Sequence, residues 1–338
     1  MDNLSIFEVL YPTYKIKKPI RLIELFAGYG SQALALEYLG IPFEHWKICE
    51  WNYKSFEAYK KLHTNDDTDY SKEKSKEDLI EYLYSKGISS DWNKAMTKEQ
   101  IKRLPENKLR AIYNNIQATH NLVNVSQAHG NDFEIQEGYT YILTYSFPCQ
   151  DLSLAGKRKG MSDTSTRSGL LWEVERILKE MEIKPDVLLM ENVPQVHGSE
   201  NMPHFRKWIQ ELEKMGYQNY WQDMIATDYG IPQIRNRTFM VSIKGDYNYT
   251  FPKPQPLKLK LKDMLEENVD EKYFLSGDSI RYFHNNNNKQ AELGNGFRFE
   301  PKEYDEAEIA QSVTVKASRM EGNFIQYSDK PSGGGIEK

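Results

Sequence analysis

The chain has 338 residues, 39% hydrophobic and 28% charged, and a formal net charge of −5 at pH 7. That is the composition of a globular protein with one large domain and a smaller one, and it excludes a disordered or fibrous chain. No apolar run approaches the roughly 20 residues that cross a bilayer, residues 1–5 lack a signal-peptide pattern, and two cysteines make neither a disulfide framework nor a zinc cluster. These features point to the cytoplasm and to reduced thiols.

Residues 1–19 read as a leader that ends in a lysine-rich stretch. Ile20-Arg21-Leu22-Ile23-Glu24-Leu25-Phe26 then reads as a buried strand, Ala27-Gly28-Tyr29-Gly30-Ser31 as a tight turn, and 32–39 as a helix capped by Gly40. A strand, a glycine turn and a helix bring backbone N–H groups and a helix N-terminus to an anionic ligand, although an ordinary tight turn has the same pattern. Residues 43–49 form a second strand with Glu50 at its tip, twenty-two residues after Gly28. A carboxylate there suits ribose hydroxyls, and Trp51 beside it suits an adenine face. Together they favour an adenosine-bearing cofactor.

Residues 52–125 break this rhythm. They are polar and rich in lysine and glutamate, with helices expected near 77–86, 97–104 and 108–122, and they read as a helical insertion. Asp66-Asp67-Thr68-Asp69 reads as a solvated loop rather than a metal site. The alternating core resumes at Asn131-Asp132-Phe133. Tyr141-Ile142-Leu143-Thr144-Tyr145 is a buried strand stopped by Pro148, one residue before Cys149. A thiol so placed is either an inert strand end or a nucleophile, and its neighbours must decide. Residues 154–166 read as a mobile basic loop. A helix follows over 168–178, then a buried strand Val187-Leu188-Leu189-Met190 that ends in Glu191-Asn192-Val193-Pro194. An amphipathic helix over 204–215 and an antiparallel strand pair, 218–226 and 237–243, flank Gln233-Ile234-Arg235-Asn236-Arg237. Phe251-Pro252-Lys253-Pro254-Gln255-Pro256 marks a domain boundary, and 257–338 mix short helical and β-like pieces without a catalytic pattern.

These stretches, in this order, resemble the DNA cytosine-5 methyltransferase family of bacterial and phage restriction–modification systems. Phe26-Ala27-Gly28-Tyr29-Gly30 resembles its cofactor loop, Glu50 and Trp51 its ribose and adenine contacts, and Asp132, followed by Phe133, its contact to the adenine amino group. Ser146-Phe147-Pro148-Cys149-Gln150 is similar to its nucleophile motif, Glu191-Asn192-Val193 to its acid motif, and Gln233-Ile234-Arg235-Asn236-Arg237 to its Gln-x-Arg-x-Arg motif. The likeness covers residues 20–245 and is specific through the order of the motifs.

The resemblance implies an α/β fold, the Rossmann-like S-adenosylmethionine-dependent methyltransferase fold, with a mostly parallel sheet and an antiparallel strand pair. Residues 1–250 would be the catalytic domain and 251–338 the start of a target-recognition domain. The cofactor would be S-adenosylmethionine, without a metal, held by residues 26–30, Glu50, Trp51, Asp132, Phe133 and Pro148. The partner would be double-stranded DNA in a bacterial or phage-infected cytoplasm, and the complete protein a monomer. The insertion is longer than the family's usual connection, and the family's two C-terminal motifs have no match. Leu293-Gly294-Asn295-Gly296 echoes one superficially, and Gln311-Ser312-Val313-Thr314-Val315 resembles a segment that precedes them. The expectation is therefore a truncated chain, or one part of a split enzyme that needs a second polypeptide.

Carbon 5 of cytosine is a poor nucleophile, so methylation there requires activating the ring. By the resemblance, Cys149 adds as thiolate at carbon 6, and a free thiol of pKa about 8.5 needs positive charge nearby, for which Lys157, Arg158, Arg235 and Arg237 are candidates. Glu191 would hold or give the proton at ring nitrogen 3, in a pocket that raises its pKa. Asn192 would orient the loop, and Arg237 would meet the base. The base must leave the duplex, and the loop carrying Gln150, Ser153, Lys157 and Arg158 would close over it and meet phosphates. A nicotinamide dehydrogenase leaves Cys149 and Glu191 idle and lacks the third glycine. A tRNA cytosine-5 methyltransferase and an inactive DNA- or cofactor-binding relative are the remaining alternatives.

Overall fold

The computed structural model describes residues 12–148, 168–266, 269–292, 301–312, 323–326 and 336–337. Eleven strands and eight α-helices lie within them. The strands are β1 (Ile20–Leu25), β2 (Phe43–Cys49), β3 (Thr140–Tyr145), β4 (Val187–Asn192), β5 (Tyr217–Ile225), β6 (Gln233–Ile234), β7 (Asn236–Lys244), β8 (Lys302–Glu303), β9 (Ala310–Gln311), β10 (Ile325–Gln326) and β11 (Ile336–Glu337). The helices are α1 (Ser31–Tyr38), α2 (Tyr53–His63), α3 (Lys76–Ser85), α4 (Lys98–Lys102), α5 (Glu106–Ala118), α6 (Leu171–Glu180), α7 (Met202–Lys214) and α8 (Gly277–Glu292).

The chain divides into two compact units. The first holds residues 1–222 and 238–251, and is built on a six-stranded sheet of order β2-β1-β3-β4-β7-β5. β1 pairs in parallel with β2 and β3, and β3 with β4, whereas β7 runs antiparallel to β4. This is the expected α/β fold with a mostly parallel sheet and one antiparallel pair. Buried aliphatic runs explain the parallel strands, since both faces of such a sheet are covered. β2 makes the point in two residues. Ile48 and Cys49 point to opposite faces and belong to different cores. One core joins Ile23, Leu143 and Leu188 to α6 and α7. Trp208, fully enclosed there, donates Nε1–H to the Tyr145 hydroxyl at 3.0 Å and ties α7 to β3.

The other core belongs to the insertion. α3, α4 and α5 lie at 76–85, 98–102 and 106–118, close to the expected helices. The stretch after Trp51, read as merely polar, is also helical: Tyr53, Phe56 and Tyr59 bury one face of α2, and the Asn52 side chain caps it by accepting the Lys54 N–H. Leu79, Leu83, Leu109, Ile112 and Ile116 complete this core with Ile48. The acidic run at 66–69 hydrogen-bonds to its own loop and to Asn114.

The second unit holds residues 223–237 and 252–338. Among its described residues β6 pairs in parallel with β9, and β8, β10 and β11 form a small sheet. Its described apolar residues gather in small clusters, one around Leu275, Phe283 and Phe324.

Candidate active site

Strand register brings the motifs of the first unit to one edge. Leu25, the last residue of β1, lies opposite Cys49 on β2 and Tyr145 on β3, and Tyr145 lies opposite Met190 on β4. Residues 26–30, 50–51, 146–148 and 191–193 therefore emerge side by side. From β1 the chain passes to β2 on one side and to β3 on the other, which opens a crevice at the carboxyl ends of the strands.

The turn after β1 is built from unusual backbone. Phe26 takes φ 58° and Gly28 φ 57°, in the left-handed region that only glycine enters freely, so Phe26 holds strain where the chain leaves the sheet. The Ala27 N–H reaches the Cys49 carbonyl at 3.2 Å. A side chain added at Gly28 would meet nothing within 4 Å, so the turn is open on that side. At Gly30 an added Cβ would lie 2.3 Å from His63 Nε2, so the turn is backed there by packed rings.

Glu50 is the anchor of this turn. Its Oε2 accepts the Gly28 N–H at 2.9 Å and its Oε1 the Asn52 N–H at 2.8 Å. Asn121 clasps the backbone of Glu50, accepting its N–H at 3.1 Å and donating to its carbonyl at 2.9 Å. Burial pushes the Glu50 carboxyl above its ordinary pKa, and the N–H groups of Asn52 and Gly28 pull it back only in part. Each carboxylate oxygen keeps a second lone pair, as an acceptor for ribose hydroxyls requires. An open glycine turn, a fixed carboxylate and the half-buried Trp51 beside it fit an adenosine-bearing cofactor. Asp132 is exposed, accepts the His129 N–H at 2.8 Å, and lies near enough to Cys49 for its charge to act on that thiol. The Phe133 ring is wholly buried in the sheet core, and its carbonyl accepts the Trp46 indole N–H at 2.7 Å. Tyr29 is exposed.

On the other half of the edge, the buried Asn192 donates Nδ2–H to the Phe147 carbonyl at 3.0 Å, while its Oδ1 accepts the Val193 N–H at 2.9 Å. This bond ties the tip of β4 to the backbone two residues before Cys149. Glu191 is half-buried and lies opposite Phe239 of β7. Pro148 is the last described residue before the thiol. Cys149, Gln150, Ser153, Lys157 and Arg158 lie outside the described residues, as does the 154–166 loop. Cys49 is no substitute nucleophile: it is fully buried, and desolvation together with the charges of Asp132 and Glu50 pushes its thiol far above the ordinary value. Arg235 and Arg237 belong to the second unit and are half-buried. There Ala226 N–H donates to the Arg235 carbonyl at 2.9 Å, and Arg237 donates to the Asn236 carbonyl at 2.7 Å.

The sequence reading missed Asn121, Asn52 and the rings of Tyr59 and His63 behind the turn. Asn121 stands seventy-one residues from its partner, and no spacing rule reaches that far.

The sequence pattern of the family described as C-5 cytosine-specific DNA methylase matches residues 83–333. The orphan methyltransferase M.SssI of Spiroplasma monobiae is 37% identical over 270 residues, which cover 77% of this chain and 68% of that protein. The Type II methyltransferase M2.ScrFI of Lactococcus lactis subsp. cremoris is 35% identical, with 77% and 71% covered. Among solved structures, the Entamoeba histolytica methyltransferase EhMeth matches with a TM-score of 0.58 at 17% identity, over 92% of this chain and 76% of that one. The Dnmt2 methyltransferase of S. pombe matches with a TM-score of 0.57 at 15% identity, over 92% and 77%, and this likeness concerns the fold. By the extent of the pattern match and the coverage of its relatives, the chain belongs to the C-5 cytosine-specific DNA methylase family.

Proposed function

We propose that the chain is a DNA (cytosine-5) methyltransferase of the restriction–modification class, using S-adenosylmethionine and Cys149. The observation that carries the reading is the Asn192–Phe147 bond between registered strand tips, which joins the acid motif to the nucleophile motif on the edge that also holds Gly28 and Glu50. The matching family pattern, that of C-5 cytosine-specific DNA methylases, favours DNA over tRNA.

S-adenosylmethionine supplies a methyl group on a positively charged sulfur. Phe26, Ala27, Gly28, Tyr29 and Gly30 would form the turn that holds it, with Glu50 to accept its ribose hydroxyls, Trp51 to cover the adenine and Asp132 to meet the amino group. The Cys149 thiolate forms a bond to carbon 6 of cytosine, and the electrons of the 5,6 double bond move toward carbon 5. Glu191 holds the proton at nitrogen 3 and so stabilises the ring as charge develops. After carbon 5 has taken the methyl group, loss of its proton restores the double bond and expels Cys149 as thiolate. Asn192 keeps the tips of β3 and β4 in register. The resemblance assigns Arg235 and Arg237 to the same reaction, and Gln150, Ser153, Lys157 and Arg158 to closure over the flipped base and its phosphates.

DNA carrying 5-fluorocytosine tests this, because fluorine at carbon 5 cannot leave as a proton does. The expected result is a covalent protein–DNA adduct that requires S-adenosylmethionine and is lost in Cys149→Ser. An adduct that survives Cys149→Ser, or one formed on RNA and not on DNA, overturns the reading.

A further inference from the structure

Three side chains from separate elements converge behind the cofactor turn: Glu37 of α1, His45 of β2 and His63 of α2. Their ligand atoms all lie within 4.8 Å of one another. His63 Nδ1 is 2.9 Å and His45 Nε2 3.6 Å from the same oxygen, Glu37 Oε1. A tetrahedral zinc ion with bonds of 2.0–2.1 Å sets its donors about 3.3 Å apart, and the two distances bracket that value.

The second nitrogen of each ring is already committed. His63 Nε2 lies 2.8 Å from the Tyr29 carbonyl, which only accepts, so this nitrogen carries a proton. Tyr59 gives its one hydroxyl proton to Glu24 Oε2 at 2.6 Å, so it accepts from His45 Nδ1 at 2.9 Å. The remaining nitrogens, His45 Nε2 and His63 Nδ1, thereby face one carboxylate. An outer shell of this kind, a carbonyl on one imidazole and a phenol leading to a buried carboxylate on the other, is how metal-binding histidines are oriented. The His63 side chain is fully enclosed, while those of His45 and Glu37 are 27% and 37% exposed, which leaves a side for a fourth ligand from solvent.

We propose that Glu37, His45 and His63 bind one divalent cation of the zinc class, which braces the cofactor turn from behind through the His63–Tyr29 bond. Two imidazoles select zinc, cobalt or nickel over magnesium or calcium. The three positions share no motif spacing, and a sequence reading that looked for cysteines and acidic runs found no metal here.

The full-length, tag-free chain, stripped with a chelator, is titrated with Co²⁺ as a spectroscopic probe. The expected result is saturation at one Co²⁺ per chain, with the visible band of a four-coordinate site that Zn²⁺ displaces. Glu37→Gln, an exposed change that leaves the fold intact, should weaken binding at least about tenfold, and His45→Gln likewise. Three outcomes overturn the proposal: no saturable uptake, wild-type affinity in both folded variants, or a thiolate charge-transfer band that vanishes in Cys149→Ser. No uptake is also the result expected if the three side chains only hydrogen-bond with one another.

Discussion

Glu50 and Glu191 stand at the tips of two strands in one sheet, β2 and β4, yet their surroundings differ. Glu50 is buried, with each oxygen on a backbone N–H and its own backbone clasped by Asn121. Glu191 is half-buried beside an Asn192 that grips the neighbouring strand tip. A carboxylate locked on both oxygens is an immobile acceptor suited to a ligand that does not change. A half-buried carboxylate at a strand tip is suited to a group whose charge develops during reaction. On the proposed reading, the same residue type serves binding on one half of the edge and chemistry on the other.

The largest test of this division removes the nucleophile. Cys149→Ser should lower methyl transfer to DNA by at least about 10⁴-fold while cofactor affinity in equilibrium dialysis stays near wild type. Next, Glu191→Gln should slow single-turnover methylation by about 10²–10⁴-fold, again with cofactor binding retained. Glu50→Gln should act the other way round. It sets an amide N–H against the N–H of Gly28 or Asn52, and cofactor affinity should fall about 10–100-fold. Equal losses of cofactor affinity in Glu191→Gln and Glu50→Gln would erase the division.

A smaller effect comes from Glu24, beneath the turn. Burial raises its carboxyl pKa to about 7, although the Tyr59 hydroxyl pulls it down. The folded state therefore holds this proton more tightly than the unfolded chain, and stability is lost as pH rises from the ordinary carboxyl value toward 7. His45, lowered to about 4 mainly by burial, works in the opposite sense below its ordinary pKa of 6.5. The informative quantity is thus the difference from Glu24→Gln. With chelator present, urea unfolding should show wild type losing about 3 kcal/mol more than Glu24→Gln between pH 4.5 and pH 8. Parallel pH profiles would show that this carboxyl does not titrate there. The smallest change concerns the strand tips: Asn192→Ala orphans the buried Phe147 carbonyl and should cost about 1–3 kcal/mol of unfolding free energy by the same measurement.

Much of the first unit was legible because its elements announce themselves locally. β2 matches its expected bounds, and β1, β3 and β4 differ by a residue or two, since short runs rich in apolar and β-branched residues, set between turn residues, leave few alternatives. α2 was hidden because lysines and a glutamate interleave with its apolar residues, and only the buried Tyr53, Phe56 and Tyr59 reveal its face. The second unit was opaque for a related reason: its described strands are two residues long, too short for alternation to show.

The sequence by itself determined the alternating strand and helix order and the chemical kinds of residue at each strand tip. It did so because burial of apolar runs and turn chemistry are local properties. Tertiary structure alone decided that Asn192 reaches Phe147, that Asn121 holds Glu50, and that Glu37, His45 and His63 meet behind the turn. Those contacts join residues from separate elements, and only strand register and helix packing fix which of them touch.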